Sequence, residues 1–351
     1  MGIFISILVL SLLIFIHELG HFTAARFFGV HVEVFSIGFG KKLYSKMIGR
    51  TQWSISAIPL GGYVKMKGQD DTDPTLQSND NDSYTSKKPW QRIIILFAGP
   101  FANFLLAFIL YLAIAFTGVP KLLPSIGEIT PDSPAMSAGL KTKDIILSID
   151  NQPVYYWEEI GQIIQSSIKD DLSLQIKRDN QIQTIVIKPK MISDKNIFGE
   201  PISRKVIGIA PLGTIENQYL GTFDALKYAY DQTIDTSLLL IKGVQKLISG
   251  AVDSSQVGGI ITIVDITSQA SNAGLIALLF FTALISINLG VLNLLPIPAL
   301  DGGHIMFNFY EMIRRKAPSE AMLYQLTLGG WMVLLGLMFL GLYNDINRLL
   351  G

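Results

Sequence analysis

The sequence predicts a polytopic α-helical membrane protein with four transmembrane helices, a membrane-associated β-hairpin between the first two, and a small α+β domain outside the membrane. Composition, hydropathy and segment length carry that prediction. Apolar residues make up 49% of the 351-residue chain and charged residues only 16%, against about 25% charged in an ordinary soluble domain. Mean hydropathy is +0.40. Four long stretches, Met1–Ile16, Ile93–Gly118, Ser271–Leu300 and Ala321–Asn344, contain no Asp, Glu, Lys or Arg, and about 20 mostly apolar residues cross a bilayer.

The first span reaches that length only if His17, Glu18 and His21 lie within the membrane. A cleaved signal peptide is the alternative, but no Lys or Arg precedes the apolar run and no small-residue cleavage site follows it. The loop between spans one and two carries nine basic residues from Lys41 to Arg92, and the loop between spans three and four carries Arg314, Arg315 and Lys316. With four spans these loops share a side, and the excess of positive charge places that side in the cytoplasm. Both termini and the segment 119–270 are then expected outside. With 28 basic and 28 acidic residues the formal net charge is zero, so no nucleic-acid partner is expected. The absence of cysteine excludes disulfides, thiol catalysis and Cys-ligated metal.

The elements follow in order. "QWSISAIPLGGYVKM" (52–66) alternates around Gly61-Gly62, and Tyr63–Met66 is expected as a return strand. Gln69–Ser86 is polar and acidic, the composition of a flexible loop. In 125–190 the strand, turn and short helix of "SIGEITPDSPAMSAGL" lead to the strand of "KDIILSIDNQPV". A helix over "WEEIGQIIQSSI" and a hairpin about Asp179-Asn180 follow. Residues 220–249 read as an amphipathic helix, either lying along the membrane surface or packed in the ordinary way. The expected organisation is 1–118 (two spans and the cytoplasmic β-loop), 119–195 (α+β domain), 196–270 (linker and amphipathic helices) and 271–351 (two spans).

The chemistry concentrates in His17-Glu18-Leu19-Gly20-His21. On a helix, positions i and i+4 share a face, so both imidazoles reach one metal ion, and the intervening Glu18 is placed to take a proton from water. Ionisable residues within an apolar span are costly and point to function. Two histidines leave a catalytic zinc one protein ligand short. His31, Glu33, Asp301 and His304 are the candidates; the first two follow the break at Gly29, whereas Asp301 ends a long uncharged span in "NLLPIPALDGGH". His17 lies roughly 24 Å along its helix at 1.5 Å per residue, a depth comparable with Asp301 at the cytoplasmic end of span three. Pro296 and Pro298 break the helix there, and unwound backbone at membrane depth is tolerated where it lines a cavity. Asn293 sits beside that break with a free amide. The strand edge near Gly61-Gly62 could pair with an unwound substrate.

Together these residues resemble the site-2 protease family, in its bacterial regulator-of-sigma-E protease branch. The likeness runs through "HELGHFTAARFFGVHVEVFSIGFG", "PLGGYVKMKG", "AGPFANFLLAF" and "NLLPIPALDGGH", and Ser125–Lys190 is similar to a PDZ domain. The resemblance implies His17, His21 and Asp301 as ligands of one Zn²⁺ and Glu18 as general base. It also implies that Asn293 and the strand Gly61, Gly62, Tyr63, Val64 and Lys65 contact substrate. It implies regulated intramembrane proteolysis in the bacterial inner membrane, with the PDZ-like domain extracytoplasmic. Substrates would be single-pass membrane proteins, anti-sigma factors or signal-peptide remnants, shortened beforehand by a site-1-type protease. Only one PDZ-like unit is found, and its "GD" position holds Lys143-Asp144. A membrane-anchored scaffold and a metal transporter are the rival readings; intact Glu18 and Asp301 argue against the first, and the lack of paired broken helices against the second.

Overall fold

The computed structural model describes residues 2–69 and 78–350. In chain order it contains α1 (Gly2–Phe27), β1 (Val32–Ile48), β2 (Thr51–Met66), α2 (Pro89–Thr117), β3 (Val119–Leu122), β4 (Ile126–Ile129), α3 (Pro134–Ser137), β5 (Ile145–Ile149), β6 (Gln152–Pro153), α4 (Trp157–Ser166), β7 (Leu172–Arg178) and β8 (Gln181–Ile187). Then come β9 (Lys190–Lys195), β10 (Pro201–Val206), β11 (Ile209–Pro211), β12 (Ile215–Gln218), α5 (Thr222–Ile248), α6 (Ile260–Ala273), α7 (Leu275–Asn293), α8 (Asp301–Arg314) and α9 (Glu320–Leu350). Two compact units result: residues 1–114 with 226–351, and residues 115–225.

In the first unit α1, α2, α7 and α9 are long and apolar enough to span a bilayer. They stay stable with little burial because lipid, not protein, covers them. On α2, Phe97, Phe101, Leu105 and Ile109 recur every four residues and are all exposed, a lipid-facing stripe. The buried faces meet in Val9, Leu10, Leu13 and Ile285, joined by Leu106, Ile263 and Leu278. The third span is predicted over 271–300 with its helix broken at Pro296 and Pro298. One division was not predicted: α6 ends at Ala273 and is capped by Gly274, whose φ of 117° no L-residue adopts cheaply. The structure has the predicted break: α7 ends at Asn293 and 294–300 is not helical. Asp301 therefore begins a helix rather than closing a span.

The last helix also clasps α6. The carboxylate of Asp345, 2% exposed, accepts the backbone N–H groups of Gly259, Ile261 and Thr262 at 2.9, 2.9 and 3.2 Å, and the Thr262 hydroxyl. A side chain from another helix thus satisfies donors that a helix start leaves open.

The β-structure between α1 and α2 differs from the predicted hairpin. The tight turn is at Gly49-Arg50, and Gln52–Ile55 does not pair with Tyr63–Met66. Val34–Ile37 instead lies between them, with Phe35 opposite both Trp53 and Val64 and Ser36 opposite both Ser54 and Tyr63. Each long strand bends back, so four segments stack in the order 62–66, 32–37, 51–56, 42–48. Positive φ at Gly38, Gly40 and Gly61 provides the bends. Of the loop predicted over Gln69–Ser86, residues 70–77 lie outside the described residues. The part 78–86 is ordered, with Asp82 and Asp80 each 2.8 Å from Lys67 Nζ, and with His31 N donating to Asp82 O.

The second unit carries the four-stranded antiparallel sheet β6-β5-β7-β8. Its core is formed by Ile126, Ile146, Ile149, Leu172, Leu174 and Ile176, covered by Ile160 and Ile164 of α4. The turn Asp179-Asn180 has positive φ at both residues, the two-residue hairpin geometry that matches strand twist. Lys143 takes φ 72°, a conformation that favours glycine. Asp144 beside it is 1% exposed and held bidentately by Arg178, at 2.7 and 2.6 Å. The sequence reading closes this domain at 195. In the structure β11 pairs with β4, and β12 with β3, which carries the compact unit to 225.

Candidate metal centre and catalytic site

Helix α1 carries His17 and His21 one turn apart, and their rings meet edge to face with centroids 4.8 Å apart. The third group arrives from the loop after α7. Pro296 and Pro298 stop the helix, and the chain then folds over the first turn of α8. A Cβ on Gly302 would lie 2.3 Å from Leu295 O, and one on Gly303 2.3 Å from Ile297 O. Only glycine admits that approach, and it delivers Asp301 as the first residue of α8, where the helix dipole favours an anion.

His17 Nε2, His21 Nε2 and Asp301 Oδ2 form a triangle with sides of 3.2, 3.3 and 3.4 Å. No other such group of His, Asp and Glu converges among the described residues. Four ligands held tetrahedrally about 2.0–2.1 Å from zinc are themselves about 3.3–3.4 Å apart, so three corners of a zinc tetrahedron are in place. Asp301 Oδ2 is buried without a hydrogen-bond partner, and an unmet buried carboxylate oxygen is costly. His21 Nδ1 donates to Ile95 O at 2.8 Å, which fixes the tautomer that leaves the Nε2 lone pair free. The residues present fit a zinc ion.

This triad lies in a cavity of about 570 Å³. Glu18, Asn293 and Gly61–Met66 line the same cavity, so every residue predicted for the site borders it. Of the other ligand candidates, His304 lines the cavity but is outside the triad, Glu33 pairs with Lys65 at 3.8 Å, and His31 follows α1 with its backbone bonded to the 78–86 loop. The 62–66 segment is a sheet edge, with Val34–Ile37 on one side and the cavity on the other.

Sequence reasoning missed the contribution of α2. Gly99 sits against the His21 ring, where a Cβ would come 2.2 Å from Nε2. Asn103, fully buried, reaches His17 Nδ1 at 3.2 Å. The available signals were a Gly-Pro step and a lone Asn within an otherwise apolar span. Phe39 and Trp331 also line the cavity and left no sequence signal.

The model of peptidase family M50 matches residues 5–337. A presumptive zinc metalloprotease from Campylobacter jejuni is 48% identical over 99% of this chain and 93% of its own. One from Helicobacter pylori is 42% identical over 99% of both. The zinc metalloprotease RasP of Oceanobacillus iheyensis is 30% identical over 98% of both. Among solved structures, the PDZ domain of an SdrC-like protein from Listeria monocytogenes matches 25% of this chain and 84% of its own at 24% identity, with a TM-score of 0.20, too low for a fold to be read from it.

Proposed function

The chain belongs to peptidase family M50, a family of zinc metalloproteases, and from that premise we propose that it cuts peptide bonds of membrane-spanning segments within the bilayer. The observation that carries this reading is the convergence of His17, His21 and Asp301 in a cavity that also holds Glu18 and an open strand edge.

In this reading His17 Nε2, His21 Nε2 and Asp301 Oδ2 hold the ion. Zinc, when bound, supplies Lewis-acid polarisation of the scissile carbonyl and of water. Glu18 removes a proton from the attacking water and later delivers it to the leaving amine. A transmembrane helix must unwind before it is cut, and its freed backbone groups need partners. The edge Gly61–Lys65 supplies them by strand addition. Asn293, the last residue of α7, donates its amide to a substrate carbonyl.

The protein is a multi-pass membrane protein with four spanning helices. We place it in the bacterial inner membrane with both termini and the 115–225 unit outside, on the strength of the basic loops 41–92 and 314–316. Residues 119–195, within the 115–225 unit, serve as a PDZ-like domain, and anti-sigma factors or signal-peptide remnants, trimmed by an upstream protease, are the substrate classes. The test is cleavage of a reconstituted transmembrane-segment substrate by wild type and Glu18→Gln, with metal content measured on both. Cleavage by wild type alone, with equal zinc in both, is expected. Zinc-loaded wild type that cuts no member of a panel of shortened membrane segments would sink the proposal.

A further inference from the structure

Asn103 lies on α2, facing the zinc-binding face of α1. It is fully buried, and its backbone carbonyl accepts the Ser286 hydroxyl of α7 at 2.8 Å. That bond pins the residue between two helices. Its side-chain nitrogen stands 3.2 Å from His17 Nδ1, while its side-chain oxygen is buried with no partner. Read with nitrogen as donor, this contact makes Nδ1 of His17 an acceptor. The neutral ring would then carry its proton on Nε2, the atom that faces His21 and Asp301. A ligand nitrogen cannot hold both a proton and a metal ion.

An amide turned by 180° exchanges its oxygen and nitrogen. With the oxygen toward His17 the proton conflict is removed, and the buried position without a partner passes from the oxygen to the amide nitrogen. Nδ1–H donates to Asn103 Oδ1, the orphaned oxygen gains its partner, and the Nε2 lone pair is released toward the metal position. The other histidine already has this arrangement, since His21 Nδ1 donates to Ile95 O. Both acceptors lie on α2, two turns apart, on either side of Gly99, whose missing side chain makes room for the His21 ring.

We infer that Asn103 is a positioning residue for the metal centre, its amide oxygen accepting from His17 Nδ1–H and so fixing the tautomer and tilt of that ligand. The inference rests on the zinc reading above. Residues that orient a ligating histidine commonly change metal affinity by about 10–100-fold when removed.

The experiment measures zinc affinity of the full-length protein in micelles, by competition with a chelator, beside the melting temperature of the metal-free protein. Asn103→Leu removes both donor and acceptor at similar size and is expected to weaken zinc binding about 10–100-fold. Asn103→Asp keeps an acceptor at the same place and removes the donor, so it is expected to bind zinc about as tightly as wild type, or more tightly. If Asn103→Leu lowers the melting temperature of the metal-free protein, Asn103→Ala takes its place as the smaller deletion. Zinc affinity unchanged in the deletion variant overturns the inference, as does a loss in Asn103→Asp equal to that in Asn103→Leu, because the acceptor would then not be the operative group. Failure of wild type itself to bind zinc is a separate result, and it overturns the metal reading on which this one stands.

Discussion

Gly99→Ala is the smallest change that tests whether α2 is fitted to the metal centre. On propensity alone the substitution favours the helix by about 1 kcal/mol. The structure reverses that sign. The added Cβ would meet His21 Nε2 at 2.2 Å, Cε1 at 2.5 Å and Cδ2 at 2.7 Å, whereas non-bonded carbon atoms rest about 3.5–4.0 Å apart. The ring must therefore retreat by roughly 1 Å or α2 must move away. A free histidine would swing aside cheaply, but this one is tied by the 2.8 Å bond from Nδ1 to Ile95 O. Retreat opens the His21 sides of the triangle, now 3.2 and 3.4 Å, beyond the roughly 0.2 Å tolerance of a metal–ligand distance. We expect zinc affinity to fall by at least about 10-fold, the scale of losing a ligand's orientation. The metal-free protein should lose about 1–3 kcal/mol from overpacking. Zinc competition and thermal unfolding of the same preparations check both. Wild-type zinc affinity in Gly99→Ala would refute the close fit of α2 against His21.

Two further predictions concern stability. Asp345→Ala strands three backbone N–H groups and a hydroxyl that the carboxylate now satisfies; with buried unmet donors costing about 1–3 kcal/mol each and partial relief by rearrangement, a loss of about 3–5 kcal/mol is expected on SDS titration in micelles, and a loss under 1 kcal/mol would contradict it. In the 115–225 unit the carboxyl of Asp150 is held below its ordinary pKa, chiefly by the Ser173 N–H that it accepts at 2.9 Å and also by Lys169 at 3.2 Å. A depressed carboxyl contributes stability that is present above its unfolded pKa of about 3.9 and is lost as the pH falls through the lower folded value. The gap in melting temperature between wild type and Asp150→Asn should hold constant from pH 7 to about 5 and close toward pH 3; a gap independent of pH would count against the assignment.

The parts of the site legible in the sequence were those with local spacing. His17 and His21 sit at i and i+4, and that spacing alone puts two imidazoles on one face. Asp301 was visible through the cost of a carboxylate at the end of a long apolar run, helped by two prolines that forbid a regular helix. Pairing over long distances was not legible. Gly61-Gly62 announces a bend, but nothing local says that Tyr63 pairs with Ser36 rather than with the nearer Gln52–Ala57 strand. The second unit runs past 195 for the same reason: β11 and β12 are only three and four residues long, and their partners lie about eighty or more positions upstream. A lone Asn in span two has no local spacing that ties it to a metal ligand, and only the position of His17 Nδ1 gives it that meaning.

Charge explains why the inner and outer parts of this site are built from different residue types. At membrane depth an uncompensated charge is expensive. Two neutral imidazoles and the Asp301 carboxylate sum to −1, a divalent cation brings the cluster to +1, and an ionised Glu18 returns it to zero. The surrounding acceptors can add nothing to that sum without disturbing it. Carboxylates commonly orient ligating histidines in water-soluble sites, yet here the two acceptors are a peptide carbonyl, Ile95 O, and a primary amide, Asn103. Both are dipoles without net charge. A carboxylate at position 103 would hold His17 at least as firmly, but it would leave the loaded site at −1 and the empty one more negative still. The orienting bond and the neutrality of the site therefore pull Asn103→Asp in opposite directions. Zinc affinity should be kept while the metal-free protein melts at a lower temperature, and that divergence separates a residue selected to orient a ligand from one selected only to pack two helices.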